Sequence, residues 1–205
     1  MSDNVDRFNH VAQAYDTDRY PGRAQCIRKV LSLLDPQAED RILDVGCGPG
    51  AQLLHLAPTI EYGCGIDPAV NMIQRAAHTA IDVPNLVFYV GDSERLPPEI
   101  NRLGINKIFS NYALHHLSDE AKHRSIRNLG ARLPVGGRFV LGDLMFSDSP
   151  DNHKDMFDVV GYGPGSDTPA HLSLLVEMFA DAGLSPVAHT LNPLVAVIVG
   201  IKESS

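Results

Sequence analysis

The sequence has few cysteines, no long apolar run and fewer basic than acidic residues. Its three cysteines, Cys26, Cys47 and Cys64, form no C-x-x-C pair. They therefore indicate neither a disulfide framework nor a zinc site, and they are typical of a reducing compartment. No apolar run reaches the roughly 18 residues that a membrane span needs, and the polar, acidic start of the chain differs from a signal peptide. We expect a cytoplasmic protein without a membrane segment.

The charge balance excludes a further class of function. The chain carries 17 basic and 25 acidic residues, a formal net charge of −8. This balance argues against a protein whose main task is to hold a phosphate backbone, so we expect no nucleic-acid partner. Hydrophobic residues make up 44% of the 205 residues, enough for a core. We expect a single domain over residues 1–205.

A glycine-rich turn follows an apolar, β-branched segment near residue 45. The run reads Arg41-Ile42-Leu43-Asp44-Val45-Gly46-Cys47-Gly48-Pro49-Gly50, and an apolar segment that suits a helix comes next. Glycine allows a sharp turn and a close approach of the backbone to a ligand, so strand, turn and helix predict a nucleotide-type site. Two classes of cofactor fit. Gly46, Gly48 and Ala51 match the relaxed dinucleotide pattern G-x-G-x-x-G/A, whereas Asp44, Gly46, Gly48 and Gly50 match D-x-G-x-G-x-G.

Hydrophobic periodicity predicts alternating strands and helices across the rest of the chain. The predicted strands cover residues 41–45, 61–66, 86–90, 107–111, 138–141, 187–191 and 194–201. Only Asn192-Pro193 separates the last two, which permits a hairpin but no crossover, so the last strand should be antiparallel. The sequence predicts an α/β, Rossmann-like, mostly parallel sheet of seven strands with helices on both faces. Residues 1–36 should form an N-terminal helical cap, 144–167 a lid insertion, and Thr168-Pro169 the start of a helix.

The motifs resemble those of the class I S-adenosylmethionine-dependent methyltransferases. The resemblance covers roughly residues 8 to 201, and its specific parts are the 44–50 turn and the 92–97 segment. The string Leu114-His115-His116-Leu117-Ser118-Asp119-Glu120 resembles a group of small bacterial methyltransferases. The family implies S-adenosylmethionine as cofactor, S-adenosylhomocysteine as product, and in-line transfer of a methyl group to an acceptor. Because basic residues are few and no additional domain is present, we expect a small-molecule acceptor.

The family also implies a set of cofactor-binding positions. Asp67, 21 residues after Gly46, is favoured as the acceptor of hydrogen bonds from a ribose diol, and a cap of the next helix is the alternative. The resemblance places Asp92 and Ser93 at the adenine, Asn111 and Tyr112 at the methionine end, and Tyr15 over the cofactor. The complete predicted set is Tyr15, Asp44, Gly46, Cys47, Gly48, Asp67, Pro68, Met72, Gly91, Asp92, Ser93, Asn111 and Tyr112.

Catalytic groups are less well defined, because an activated methyl group requires mainly an oriented acceptor. A base is needed only if the acceptor must lose a proton, and the candidates are His116, His115 and Asp143. Asp143 should follow the fifth strand, at the edge where α/β sheets bind ligands. We expect no metal site, because adjacent histidines point in different directions and no acid or cysteine lies at zinc-like spacing.

Two alternatives remain open at this stage. A non-catalytic protein could bind the same cofactor as a sensor or partner subunit. An NAD(P)-dependent oxidoreductase would use Gly46-x-Gly48-x-x-Ala51 and Asp67, but it would lack a Tyr-x-x-x-Lys pair and would leave Asp92 unexplained. The sequence is also compatible with a homodimer.

Overall fold

The computed structural model describes residues 2–12 and 21–204, in which helices and strands alternate through most of the chain. The helices are α1 (Ser2–Val11), α2 (Pro21–Leu34), α3 (Ala51–Leu56), α4 (Val70–Thr79), α5 (Asp119–Gly130), α6 (Phe157–Val160) and α7 (Leu172–Asp181). The strands are β1 (Arg41–Val45), β2 (Tyr62–Asp67), β3 (Leu86–Val90), β4 (Lys107–Asn111), β5 (Arg138–Phe146), β6 (Ala170–His171), β7 (Leu184–Asn192) and β8 (Val195–Lys202). Within these described ranges, no helix has the length and apolar character to cross a membrane.

The strands form one mixed sheet in the order β3-β2-β1-β4-β5-β8-β7. The first five are parallel, β8 runs antiparallel to β5, and β7 runs antiparallel to β8. The two-residue strand β6 pairs with the end of β5 outside this path. The prediction of a mostly parallel Rossmann-like sheet with an antiparallel end is confirmed. The reversal of strand order between β1 and β4 opens a crevice at their carboxyl ends.

Alternate residues of the central strands enter different cores, which explains helices on both faces. In β1, Ile42 packs with α2 and α3, whereas Leu43 packs with α5 and α7. In β4 the same alternation separates Phe109 from Ile108. Because helices cover both faces of these strands, the strand ends that carry polar residues are held in place by packing on both faces.

Two wrongly predicted boundaries affect the site. β5 continues to Phe146, so Asp143 lies inside a strand instead of in the loop after it. The last long helix begins at Leu172 with His171 as its N-cap, not at Thr168-Pro169. The cause is tertiary, because Ala170 and His171 pair with β5 and the Thr168 hydroxyl donates to the Leu117 carbonyl at 2.7 Å.

The segment predicted to be a lid packs against the domain. A 3₁₀ turn over Pro150–Met156 leads into α6, and α6 lies against α2 near Gly22. The Tyr162 ring meets the rings of Phe146 and Phe157 at centroid distances of 5.2 and 4.8 Å. These aromatic contacts join the segment to the α2 face of the core. Only its far end, at Asp167, approaches the strand ends.

Candidate functional site

The glycine turn after β1 depends on left-handed backbone conformations. Gly46, Gly48 and Gly50 have φ angles of +74°, +51° and +80°. A Cβ added to Gly46 would lie 2.3 Å from the Cβ of Ala113, so no side chain fits there. A Cβ on Gly48 would meet no atom within 4 Å, because this residue faces a cavity. The turn therefore packs tightly on one side and leaves its backbone accessible to a ligand on the other.

Asp67, at the end of β2, fixes the turn and still has acceptor capacity. Its Oδ2 accepts the Gly48 N–H at 3.0 Å and its Oδ1 accepts the Ala69 N–H at 2.8 Å. Burial raises the pKa of Asp67, and the two backbone donors oppose this shift. Each carboxylate oxygen retains a lone pair, so the residue can accept two further bonds from neighbouring hydroxyl groups.

Asp44 lies beneath the turn and is 1% exposed. Its Oδ2 has no hydrogen-bond partner among the residues that the structure describes. Burial, together with the nearby charge of Asp67, raises its pKa well above the usual range. Asp44 therefore adds unsatisfied acceptor capacity directly below the cavity, although it does not line the cavity itself.

The turn opens into a cavity of about 250 Å³ at the carboxyl ends of the parallel strands. Its cofactor-side walls include Gly46, Cys47, Gly48, Asp67, Pro68, Met72, Gly91, Asp92, Ser93, Asn111 and Tyr112. Arg23 also lines the cavity, and the remaining walls include Val5, Phe8, Ile27, Leu114, His116 and Leu117. Burial raises the pKa of the Cys47 thiol well above its usual range, so this residue fills space and is no nucleophile. The structure thus brings the predicted cofactor residues together, except Asp44 below the floor and Tyr15, which lies outside the described residues.

Asp92 and Ser93 meet the cavity in different ways. Asp92 Oδ1 accepts the N–H groups of Glu94 and Arg95 at 2.8 and 2.7 Å, which orients the carboxylate by a local turn. The Ser93 hydroxyl instead pairs with Ser125 of α5 at 2.8 Å. The side chain of Asp92 can therefore accept a ligand's N–H group at the wall, whereas Ser93 presents its backbone.

Asn111 and Tyr112 close the end of β4. The Asn111 side-chain amide donates to Gln52 Oε1 at 2.5 Å, which ties the strand to α3. Tyr112 has φ +51°, unusual for a residue with a bulky side chain, and its backbone N–H donates to the Gly142 carbonyl at 2.9 Å. The Arg23 guanidinium lies 4.8 Å from the centre of the Tyr112 ring. This corner of the cavity carries a cation that can face a ligand's carboxylate.

His115 and Asp143 form a buried pair behind the cavity. Asp143 Oδ2 accepts the N–H groups of Leu114 and His115 at 2.9 and 3.1 Å, and Oδ1 accepts that of Leu144 at 2.8 Å. Oδ1 also contacts His115 Nδ1. Although burial alone would raise the pKa of Asp143, His115, the Leu144 N–H and the nearby His116 lower it. The pair exists because β4 and β5 are adjacent, with Asn111 opposite Gly142.

His116 and Asp167 lie next to that pair, at the cavity wall. His116 Nδ1 is 3.3 Å from Asp167 Oδ1, and the two histidine rings are 4.0 Å apart between centroids. Burial lowers the pKa of His116, and Asp167 partly offsets this effect. Burial opposes ionisation of Asp167, yet His116 and the Gly163 N–H lower its pKa to about 2. Asp167 is not predicted by the sequence, because it lies 51 residues beyond His116 in a segment whose composition indicates only a loop.

Comparison with known proteins identifies the family. Residues 42–137 match the family model described as "Methyltransferase domain". An uncharacterized methyltransferase of Oceanobacillus iheyensis is 30% identical over 170 residues, covering 77% of this chain and 76% of the relative. The uncharacterized methyltransferase YcgJ of Bacillus subtilis is 29% identical over 149 residues, 72% of this chain but only 57% of the relative. The chain belongs to the class I S-adenosylmethionine-dependent methyltransferases.

Solved structures support the same fold for this methyltransferase. The YcgJ crystal structure superimposes with a TM-score of 0.70 at 22% identity and covers 89% of this chain and 100% of that one. Magnesium protoporphyrin IX methyltransferase from Synechocystis, with bound S-adenosylhomocysteine, has a TM-score of 0.69 at 17% identity and covers 87% and 83%. At these identities the superpositions show the fold alone. The oxidoreductase alternative is wrong, because the family uses S-adenosylmethionine.

The cavity of this methyltransferase fits that cofactor. Gly48 leaves open space where a Cβ would stand, so a ligand can approach the turn closely. Asp67 offers two acceptor positions suited to a ribose diol, and Asp92 offers one suited to an amino group. The Asp67 carboxylate at the cavity wall also favours a cationic ligand by charge, and a sulfonium is cationic.

Proposed function

We propose that this methyltransferase transfers the methyl group of S-adenosylmethionine to a small-molecule acceptor held between the β-strand ends and α1. The observation that carries the proposal is the single continuous cavity with two kinds of wall. The cofactor motifs line one side, and an apolar surface interrupted by His116 lines the other. Its volume of about 250 Å³ lies just below the usual range of about 300–1,000 Å³ for small-molecule sites.

On the cofactor side we assign one task to each polar group. Asp67 accepts the ribose hydroxyls, the free oxygen of Asp92 accepts the adenine amino group, and Arg23 faces the carboxylate of the methionine end. Asn111, held by Gln52, and the backbone of Tyr112 position that end. When bound, S-adenosylmethionine supplies an electrophilic methyl group on a sulfonium. The chain's own contribution is orientation and exclusion of water, which can lower a barrier by about 7–11 kcal/mol.

On the acceptor side, apolar groups surround a single polar group. Val5 and Phe8 of α1, Ile27 of α2 and Leu117 supply the apolar walls, and the Phe8 ring lies 5.4 Å from that of His116. An acceptor with an apolar body would bury that body here and direct its polar atom towards His116. His115 and Asp143 do not line the cavity, so we assign them to positioning His116 and the turn around it.

The test compares acceptor fractions and includes a cofactor-site variant. Purified protein is incubated with methyl-labelled S-adenosylmethionine and either the low-molecular-weight or the macromolecular fraction of a bacterial extract. We expect label in small molecules, with matching release of S-adenosylhomocysteine. Label found only in protein or nucleic acid would overturn the proposal, and cofactor binding without any transfer would favour the sensor alternative.

Asp67→Ala is the variant and Asp82→Ala the control. Loss of two hydrogen bonds to a charged group, each worth about 1.5–3 kcal/mol, should weaken binding of S-adenosylmethionine by about 100-fold or more. Asp82 is exposed and away from the cavity, so its replacement should leave the dissociation constant unchanged. Equal affinity of the two variants in a calorimetric titration would remove Asp67 from the site.

A further inference from the structure

Three potential metal-binding side chains converge at the acceptor end of the cavity. One atom each from His115, His116 and Asp167 lies within 4.8 Å of the others. Asp167 Oδ1 is 3.3 Å from His116 Nδ1 and 3.9 Å from His115 Nε2. Their side chains are 1%, 15% and 5% exposed, so the cluster is largely shielded from bulk water. Only His116 lines the cavity.

The hydrogen bonds around His115 direct a lone pair towards this point. Asp143 accepts three backbone N–H groups and therefore acts as an ionised acceptor, so the contacting His115 Nδ1 must carry the proton. In the neutral ring Nε2 is then an unprotonated acceptor, and it faces Asp167. A carboxylate that holds one histidine nitrogen while the other binds metal is a recurrent arrangement in metal sites.

Asp167 is oriented in a similar way. Its Oδ2 accepts the Gly163 N–H at 2.8 Å, while the Ser166 hydroxyl donates to Oδ1 at 3.2 Å. The loop itself is fixed, because the Thr168 N–H donates to the His115 carbonyl at 2.7 Å and Lys122 Nζ donates to the Thr168 carbonyl at 2.6 Å. Asp167 Oδ1 therefore faces the two histidines through a braced loop.

Hydrogen bonds among the three groups do not explain their convergence. At 3.9 Å, His115 Nε2 and Asp167 Oδ1 are too far apart for a hydrogen bond. His116 Nδ1, although 3.3 Å from the same oxygen, has no aligned hydrogen bond to any residue that the structure describes. A cation between the three atoms would satisfy all of them. In a tetrahedral zinc site with bonds of about 2.0–2.1 Å, ligand atoms lie about 3.3–3.4 Å apart, close to the 3.3 and 3.9 Å seen here.

We propose that His115, His116 and Asp167 bind one divalent transition-metal ion. Because the ligands are two imidazoles and a carboxylate, the ion that fits best is Zn²⁺. Asp143 acts as a positioning residue. Three protein ligands leave one coordination position, as in catalytic rather than structural zinc sites. Because His116 is the ligand that lines the cavity, the open position would face the cavity beside it. The proposal departs from the sequence-based expectation of no metal, which considered only partners close in sequence.

The site also narrows the class of acceptor, a step that rests on the proposed function. A hydroxyl group bound to Zn²⁺ loses its proton more readily than a free one, so the acceptor we infer is an alcohol or a phenol. The acceptor's O–H bond breaks and its proton leaves to solvent. The oxygen then forms the new bond to the methyl carbon as the sulfur–carbon bond breaks. The products are the methyl ether and S-adenosylhomocysteine.

The experiment titrates Zn²⁺ alone into chelator-stripped full-length protein by calorimetry. We expect the wild type to bind one Zn²⁺ ion per chain and His116→Ala to show no such one-to-one binding. Asp143→Asn should bind Zn²⁺ about 10–100-fold more weakly than the wild type. His153→Ala, which removes a half-buried histidine that pairs with Asp148 outside the cluster, is the matched control and should bind as wild type does. Absence of binding, or equal binding by His116→Ala and wild type, would overturn the proposal.

Two further measurements keep the outcomes distinct. Zn²⁺ should raise the melting temperature of the wild type, and a chelator should reverse this shift. Because this measurement needs no variant, misfolding of a variant cannot mimic its result. Co²⁺ in the site should give a tetrahedral absorption spectrum that azide changes, and an unchanged spectrum would exclude an open position. His116→Ala should retain S-adenosylmethionine binding, whereas Asp67→Ala should lose it and retain Zn²⁺. The metal site and the cofactor site can therefore fail independently.

Discussion

The pKa values of the buried carboxyl groups are shifted in opposite directions on the two sides of the cavity. On the cofactor side, burial raises the pKa of Asp44 and Asp67, because few protein donors face them. On the acceptor side, histidines and backbone N–H groups lower the pKa of Asp143 and Asp167 despite burial. The cofactor side thus depends on the ligand to supply hydroxyl donors and positive charge. The acceptor side is already organised by the protein.

The largest expected effect comes from removing an acceptor-side carboxylate. Asp143→Ala leaves three backbone N–H groups and the His115 ring without their acceptor. Breaking a buried pair in this way costs about 3–5 kcal/mol of unfolding free energy. Urea unfolding of the metal-free protein, followed by circular dichroism, measures the loss.

The same chain supplies a matched control for that variant. Asp148, whose side chain is 53% exposed, pairs with His153 at 2.9 Å, and water can replace the bonds that this carboxylate loses. Asp148→Ala should leave the unfolding free energy unchanged within error. If both variants lost equal stability, burial of the His115–Asp143 pair would not be what makes it strong.

The cofactor side was largely predictable because its parts follow one another along the chain. An acidic or amide residue lies at or within two residues of the carboxyl end of each of β1 to β4, and parallel strands bring these ends to one edge. The glycine turn adds a left-handed backbone that the spacing of Gly46, Gly48 and Gly50 already indicates. His115 and Asp143 could be paired for the same reason, since they follow corresponding positions on adjacent strands.

The rest of the acceptor side could not be predicted, because long-range contacts determine it. Asp167 reaches the histidines only after the chain passes through a 3₁₀ turn and α6, and no periodicity encodes that path. Thr168 and Pro169 carry a local helix signal, yet pairing of Ala170 and His171 with β5 overrides it. Local propensity is worth tenths of a kcal/mol, less than these tertiary contacts.

The pH dependence of stability should have opposite signs on the two sides. The pKa of Asp167 is lowered from 3.8 to about 2. The ionised side chain therefore contributes stability that is present above pH 4 and is lost as the pH falls through 2. Asp167→Asn should therefore lower the unfolding free energy at neutral pH by about 2 kcal/mol. Because the pKa of Asp44 is raised, its contribution is lost as pH rises above 3.8, so Asp44→Asn should stabilise the protein at neutral pH.

Unfolding free energies of wild type, Asp167→Asn and Asp44→Asn, measured without metal from pH 7 to pH 2, check both signs. The Asp167→Asn curve should approach that of wild type at the acid end, and the Asp44→Asn curve should do so near pH 4. Two variants that changed stability in the same direction would contradict the contrast between the two sides.

The smallest change in stability should separate backbone strain from ligand binding. Gly48 and Gly136 have φ angles of +51° and +80°, and a Cβ on either would meet no atom within 4 Å. Gly48→Ala and Gly136→Ala should therefore each cost about 1 kcal/mol of unfolding free energy, from the left-handed backbone alone. Only the Gly48 methyl group would project into the cavity, so only Gly48→Ala should weaken S-adenosylmethionine binding, as measured by calorimetry. Equal affinities in the two variants would mean that the cofactor does not approach the turn at Gly48. The unsatisfied carboxylate oxygen of Asp44 beneath the turn would then need another hydrogen-bond donor.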